Sequence, residues 1–145
     1  MKALPHHYTA SSKGNPEDNL ITQSDALPSI SVAAPADFDG PGDQWSPETL
    51  LMASVANCFV LSFRAVANAM QFQWLEIECK ADGVLDKVDR SIQFTDILTT
   101  VSLTIPSSVD TAKAEKVLEK SHRACLISNS LSCETRLEFT LHHAD

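Results

Sequence analysis

The chain has 145 residues and 43% of them are hydrophobic, which is enough for the core of one domain of ordinary size. Its net charge is −8 and its 11 lysines and arginines form no cluster, which argues against nucleic-acid binding, because phosphate contacts need a basic surface. No apolar run is expected to cross a membrane and the N-terminus lacks the apolar core of a secretory signal, so we expect a cytoplasmic protein.

The first 45 residues contain most of the loop-forming residues. Gly14-Asn15-Pro16 predicts a turn between two short strands at 8–12 and 19–23. A third strand is predicted at 30–34. It is followed by a turn-rich connector at 37–43.

A long central helix is predicted from Pro47 to about Met70. Ser46 is suited to cap it, Pro47 fits the first helical position, and Glu48 favours the positive N-terminal end. Apolar residues cover much of its circumference, which predicts a buried helix. They are Leu51, Val55, Cys58, Leu61, Ala65 and Ala69 near one face, widened by Leu50, Phe59, Phe63, Val66 and Met70.

The second half of the chain is predicted to contain strands and a second helix. Apolar and polar residues alternate at 75–80, 92–95, 101–105 and 133–141, which indicates strands. Asp110 is suited to cap a second helix over 111–123, with Ala114, Val117, Leu118 and Ala124 on its core side. The order three β, α, three β, α, β predicts an α+β fold with antiparallel sheets.

We expect a single domain over 1–145. It divides into N-terminal strands and connector (1–45), the central helix (46–71), and strands plus a second helix (75–142). A subunit interface is expected to cover the remaining apolar surface of the central helix.

Four cysteines are present, at positions 58, 79, 125 and 133, and no Cys-x-x-Cys pair occurs. A zinc site or a disulfide framework is therefore not expected. Cys58 lies in the apolar central helix and Cys125 ends the second helix. Two thiols within reach of each other are what two-step thiol redox chemistry requires. The alternative is that Cys58 is a small core residue and Cys125 a helix-end filler.

Other candidate residues have simpler explanations. Cys79 and Cys133 lie in the inward phase of strands and are predicted to be core residues. His122 is close to Cys125 in sequence, but a surface helix position explains it. The histidine pairs at 6–7 and 142–143 lie near the termini and are predicted to be solvated, so we do not expect them to bind a metal.

Two segments resemble the OsmC/Ohr proteins, that is, osmotically inducible protein C and the organic hydroperoxide resistance proteins. The first is Ser46-Pro-Glu-Thr-Leu-Leu-Met-Ala-Ser-Val-Ala-Asn-Cys58 and the second is Cys125-Leu-Ile-Ser-Asn129. They match the family's Pro-Glu central helix and its "C-x-x-S-N" motif. The resemblance covers residues 46 to 142, with a weaker strand-turn-strand match before it.

The resemblance implies an OsmC-like fold in an intertwined homodimer with active sites at the subunit interface. It also implies a thiol peroxidase that reduces organic hydroperoxides without a metal or organic cofactor. Cys58 would be the peroxidatic residue and Cys125 the resolving one. A dithiol, such as a lipoylated protein in some members, would restore the reduced form.

Glu48 matches the family's carboxylate that holds an arginine beside the thiolate, although an acidic residue in a first helical turn has a structural explanation too. The family's arginine lies in the N-terminal strands, but this chain has no arginine before Arg64. Lys13 is the only cation in that region and is the candidate substitute, while Arg64 and Arg123 lack motif support. Lysine lacks the planar fork that pairs with a carboxylate.

Helix geometry constrains the position of Glu48. It precedes Cys58 by ten residues, which on a straight helix corresponds to a rise of about 15 Å. If the two residues share a site, either the helix breaks or the carboxylate comes from the partner chain, and we favour the partner chain.

Three functions are compatible with the sequence. The first is a Cys-based hydroperoxide reductase. The second is a protein of the same fold that binds a small apolar ligand and has little peroxidase activity, because the arginine is missing. The third is a structural dimer with inert cysteines.

Overall fold

The computed structural model describes all 145 residues. They group into two compact units, Met1–Leu50 and Leu51–Asp145. The single domain expected over 1–145 stays a prediction.

The first unit contains a small antiparallel sheet with strand order β1-β2-β3. Its strands are β1 (Ser11–Lys13), β2 (Leu20–Gln23) and β3 (Ile30–Val32). The Asn15 side chain accepts hydrogen bonds from the backbone N–H groups of Glu17 and Asp18, at 2.9 and 2.8 Å, and so closes the turn between β1 and β2. The turn and three strands are confirmed. β2 and β3 are somewhat shorter than predicted, whereas β1 shares only Ser11 and Ser12 with the strand predicted at 8–12.

Helix α1 (Pro47–Ala69) begins where the sequence predicts. The Ser46 hydroxyl accepts a hydrogen bond from the Thr49 N–H at 3.1 Å, and the Thr49 hydroxyl oxygen accepts one from the Ser46 N–H at 2.9 Å. This reciprocal pair satisfies N–H groups that a helix start leaves without partners. The helix continues without a break to Ala69, so a broken helix is excluded.

The second unit contains a three-stranded sheet with strand order β4-β5-β6. Its strands are β4 (Glu76–Val88), β5 (Ser91–Pro106) and β6 (Glu134–Ala144), and two helices, α2 (Thr111–Ala124) and α3 (Leu126–Asn129), connect β5 to β6. β4 and β5 form an antiparallel hairpin, but β5 and β6 are parallel. The expectation of purely antiparallel sheets is therefore wrong for this pair, because the helical crossover returns the chain to the end of the sheet where β5 began.

One face of α1 packs in the core of the second unit, together with β5 and α2. Phe63 is fully buried, with ring centroids 6.3 Å from Phe72 and 5.2 Å from Trp74 in edge-to-face geometry. The buried core residues are Phe59, Phe63, Ala67, Phe72, Val101, Leu103, Ile105, Ala114, Val117 and Leu118. The predicted inward residues of α2 are confirmed except Ala124, which is exposed.

The opposite face of α1 is open in the single chain. Leu61, Ala65 and Ala69 are exposed, although the sequence placed them on the buried face. The hydrophobic stripe that is buried runs through Val55, Phe59, Phe63 and Ala67, at four-residue intervals. Because apolar residues surround the helix, their spacing alone does not show which face packs inward.

By length and composition alone, α1 could also cross a membrane. The expectation that no segment meets this test is therefore wrong. Polar residues such as Asn57 and Ser62 interrupt the apolar runs, but the average hydropathy of the helix remains high. Core helices of soluble proteins meet the same test, so the finding is weak evidence for a membrane.

Candidate active site

The structure brings Cys58 and Cys125 together. Cys58 lies in the middle of α1 and is half-buried, whereas Cys125 is 1% exposed at the junction of α2 and α3. The two thiols are in hydrogen-bonding contact. Both are free cysteines, so this is a reduced thiol pair.

Local backbone geometry holds Cys125 in place. It ends α2 and begins α3, with an extended backbone (φ −67°, ψ 101°) that redirects the chain between the two helices. The Asn129 side chain donates a hydrogen bond to the Arg123 carbonyl oxygen at 3.0 Å and ties the two helices together. The Ser128 hydroxyl donates to the Cys125 sulfur at 3.2 Å. The "C-x-x-S-N" segment thus positions the buried thiol through its Ser and Asn.

The surroundings of Cys58 favour its thiolate. Burial raises the pKa of this thiol, but hydrogen bonds lower it by more, so its pKa lies below the ordinary value. The donors are the backbone N–H of Ile127, the Cys125 thiol, the Ser62 hydroxyl at 3.9 Å and the backbone N–H of Leu126. The two N–H groups belong to the first turn of α3, where no intrahelical acceptor is available.

The pKa of Cys125 is shifted in the opposite direction, above the ordinary value. Burial raises its pKa most, and although the Ser128 hydroxyl and N–H lower it, the hydrogen bond and negative charge of Cys58 raise it further. Of the two thiols, Cys58 therefore gives up its proton more readily, and the thiolate is the nucleophilic form of a cysteine.

A mainly apolar groove of about 530 Å³ opens beside Cys58. Leu61, Ala65, Leu126 and Ile127 supply apolar surface, and Ser54, Asn57 and Ser62 supply polar groups. Such a groove can accept the alkyl part of a small molecule and direct a polar end to the sulfur. Phe59 and Phe63, weighed as a substrate slot, are core residues instead.

Glu48 and Lys13 belong to the first unit. One carboxylate oxygen of Glu48, Oε2, is buried and has no hydrogen-bond partner. Lys13 is exposed in β1 and forms no ion pair within the chain. The pairing of these two residues, and their part in the Cys58 site, stay predictions.

The other two cysteines differ from each other. Cys79 is half-buried and packs against the core, as predicted, and burial together with the charge of Cys125 raises its pKa to about 12. Cys133 precedes β6 and lines a surface groove, so the prediction that it is a core residue on a strand is wrong. No three His, Cys, Asp or Glu side chains converge on a point that could hold a metal ion.

The groups that lower the pKa of Cys58 were not predicted from the sequence. Ser62 lies one helical turn after Cys58, a spacing that could have identified it. The N–H groups of Leu126 and Ile127 carry no side-chain signal. Only the fold shows that the first turn of α3 faces the sulfur.

Residues 40–140 match the family model described as OsmC-like protein. The chain belongs to the OsmC-like family. A relative in Bacillus subtilis, the uncharacterized protein YmaD, is 24% identical over 139 residues and covers 92% of this chain and 91% of its own length. Peroxiredoxin OsmC of Escherichia coli is 28% identical over 96 residues, which is 66% of each chain.

Solved structures show the same OsmC-like fold. An OsmC-like protein of unknown function from Vibrio cholerae superposes with a TM-score of 0.86 at 16% identity, over 94% of this chain and 100% of that one. An organic hydroperoxide resistance protein OsmC from Legionella pneumophila gives a TM-score of 0.77 at 22% identity, over 97% and 99% of the chains. OsmC/Ohr membership points to a peroxide-related redox function.

Proposed function

We propose that this OsmC-like protein is a thiol peroxidase that reduces organic hydroperoxides. The observation that carries the proposal is the Cys58 sulfur itself. It receives hydrogen bonds from the Cys125 thiol and the N–H groups of α3, has a lowered pKa, and lies at an apolar groove. A stabilised thiolate with a protonated thiol in contact is suited to attack and resolution.

The reaction would proceed in two balanced steps. The Cys58 thiolate attacks the terminal oxygen of a hydroperoxide, the O–O bond breaks, and the alkoxide takes up a proton to leave as an alcohol. Cys58 is then a sulfenic acid. The Cys125 sulfur attacks it, and the hydroxide that leaves combines with the Cys125 proton to form water. The product is a Cys58–Cys125 disulfide.

The proposal extends to partners and location. OsmC/Ohr proteins are generally dimeric, and the open apolar face of α1 supports a homodimer here. We propose that Glu48 completes the site from the partner chain, with Lys13 as the substitute cation. A dithiol, such as a lipoylated protein, would reduce the disulfide in the cytoplasm.

The test is thiol titration after one equivalent of cumene hydroperoxide is added to the reduced protein. Wild type is expected to lose two free thiols per chain and to yield the Cys58–Cys125 disulfide in peptide maps. Cys58→Ser should lose none, and Cys125→Ser should lose one and accumulate a sulfenic acid. Equal losses in wild type and Cys58→Ser would refute the assignment.

A second candidate is a small-ligand-binding protein with weak peroxidase activity. The buried, unpartnered Oε2 of Glu48 favours it, because the family's arginine is missing where that carboxylate needs a partner. Native mass spectrometry of the purified protein would then show a retained apolar ligand. The second-order rate of Cys58 with cumene hydroperoxide would also be no faster than that of free cysteine.

A further inference from the structure

The two sulfurs of the thiol pair differ in access. Cys58 is half-buried and lines the groove of about 530 Å³. Cys125 is 1% exposed and is not among the residues that line this groove. The rate of thiol–disulfide exchange depends on which sulfur an incoming thiolate can reach. In a Cys58–Cys125 disulfide, the sulfur within reach of a reductant is therefore that of Cys58.

Leaving-group ability favours the opposite choice. A thiol with a lower pKa leaves faster. The pKa of Cys58 is lowered, whereas that of Cys125 is raised, chiefly by burial. Attack on the accessible sulfur therefore expels the poorer leaving group, Cys125. A hydrogen-bond donor held against the Cys125 sulfur would offset this disadvantage.

Ser128 supplies two donors of this kind. Its hydroxyl donates a hydrogen bond to the Cys125 sulfur at 3.2 Å, and its backbone N–H donates to the same sulfur. Burial raises the pKa of Cys125 most, and the two donors of Ser128 oppose that shift. Ser128 is not among the groups that shift the pKa of Cys58. Its direct effect is therefore confined to the less accessible sulfur.

The fold fixes Ser128 relative to Cys125. The Asn129 N–H donates to the Cys125 carbonyl oxygen at 3.0 Å, and the Asn129 side chain donates to the Arg123 carbonyl oxygen at 3.0 Å. These two hydrogen bonds hold the end of α3 against the end of α2. Donors that are already in place stabilise a developing negative charge without reorganisation.

We propose that the reductant attacks the Cys58 sulfur from the groove, and that Ser128 is a catalytic residue that stabilises the departing Cys125 thiolate. This inference rests on the proposed function, since reduction follows formation of the Cys58–Cys125 disulfide. One thiolate of an external dithiol attacks Cys58, the Cys58–Cys125 bond breaks, and a mixed disulfide forms at Cys58. Cys125 leaves as a thiolate and takes up a proton.

A second exchange completes the reduction. The other thiolate of the dithiol attacks the dithiol's own sulfur in the mixed disulfide, and Cys58 leaves as a thiolate. The dithiol becomes a disulfide and loses two protons, of which one goes to Cys125 and the other to solvent. The hydrogen bonds around Cys58 outweigh its burial and lower its pKa, which favours this departure. Each cysteine thus leaves beside its own donors.

The first test maps the sulfur that is attacked. The Cys58–Cys125 disulfide is made with diamide, a general thiol oxidant, so the test needs no peroxidase activity. The oxidised protein is treated briefly with 2-mercaptoethanol, quenched with acid, alkylated and mapped by mass spectrometry. Mercaptoethanol is expected on Cys58, with Cys125 alkylated. A mixed disulfide mainly on Cys125 would overturn the proposal, whereas failure of cumene hydroperoxide to oxidise wild type would contradict the proposed function instead.

The second test concerns the donor. Dithiothreitol should reduce the diamide-made disulfide of Ser128→Ala about tenfold more slowly than that of wild type, because a hydrogen bond to the departing thiolate is lost. Ser128→Thr keeps the hydroxyl and should retain most of the rate.

Ser130→Ala is the matched control. The Ser130 hydroxyl donates to the Leu126 carbonyl oxygen at 2.8 Å, so its loss weakens a hydrogen bond within the same segment without removing a donor to Cys125. This variant should be reduced like wild type. Equal rates in Ser128→Ala and wild type would contradict the role of Ser128. Equal slowing in Ser128→Ala and Ser130→Ala would also contradict it, because a loosened α3 would then explain both.

Discussion

At the scale of single residues, the pKa values of the neighbouring thiols Cys58 and Cys125 are shifted in opposite directions. Cys58 has a lowered pKa because donors surround its sulfur, and Cys125 has a raised pKa because it is buried beside that negative charge. A buried pair cannot readily carry two negative charges, so stabilising one thiolate protonates the other. This asymmetry supports the proposed roles, attack by Cys58 and resolution by Cys125.

The asymmetry predicts the pH dependence of Cys58. Its reaction with iodoacetamide should reach half of the maximal rate at a lower pH than that of an ordinary thiol. Cys125→Ala removes one donor to the thiolate, so the pKa of Cys58 rises and the midpoint should move to higher pH. The rate is measured from mass spectra of the Cys58 peptide between pH 5 and 10.

Cys133→Ala is the control for this prediction. Cys133 is not among the groups that shift the pKa of Cys58, so its midpoint should match that of wild type. An unchanged midpoint in Cys125→Ala would show that the Cys125 thiol does not stabilise the thiolate.

At the scale of elements, the sequence predicted helix starts and strand faces but not strand partners. Ser46 and Asp110 cap α1 and α2 as expected, because capping is a local interaction. Alternation identified the inward face of β6 but contains no information on the direction of its neighbour. The crossover of more than twenty residues between β5 and β6 could have suggested parallel pairing.

The sequence also predicted three short strands where the structure has the two long strands β4 and β5. The sequence predicted separate strands at 75–80, 92–95 and 101–105, but β4 and β5 form one long hairpin across a tight turn, with a single register shift between Val84 and Leu85. Asp89 in that turn has a positive φ of 56°, a conformation that Asp tolerates better than most residues. Apolar and polar residues alternate less clearly at the exposed end of a hairpin than in a core strand. The alternation therefore did not predict the full length of β4 and β5.

The connector before α1 allows a stability prediction. A Cβ at Gly40 would overlap the backbone carbonyl of Ala34, and backbone cannot move aside as a side chain can. Gly40→Ala should therefore lower the free energy of unfolding by about 3 kcal/mol. Urea titration followed by circular dichroism measures the change.

Gly14→Ala is the matched control in the same unit. A Cβ there would meet only the flexible end of the Leu20 side chain, so a smaller loss is expected. Equal losses in the two variants would show that the Gly40 contact is not the decisive one.

At the scale of the whole molecule, the sequence showed more of the site than of its surroundings. The resemblance carried by the motifs around Cys58 and Cys125 implied a thiol pair, and the structure brings the two thiols together. The groove, the N–H donors and the position of Cys133 depend on how α3 packs, which no local pattern encodes.

The exposed face of α1 leads to a prediction about assembly. Leu61 is 59% exposed on that face and lines the groove beside Cys58. If a second copy covers it, Leu61→Glu would bury an unpaired charge at the interface, which costs several kcal/mol. Light scattering should give wild type twice the chain mass of 15.8 kDa and Leu61→Glu the mass of one chain.

The control is Ile92→Glu, which alters a side chain of similar exposure, 61%, near the hairpin turn between β4 and β5. That variant should remain a dimer, because it adds a charge outside the proposed interface. Leu61→Glu should also react more slowly with cumene hydroperoxide, since the carboxylate enters the apolar groove. A Leu61→Glu dimer of wild-type mass would place the subunit interface elsewhere on the chain.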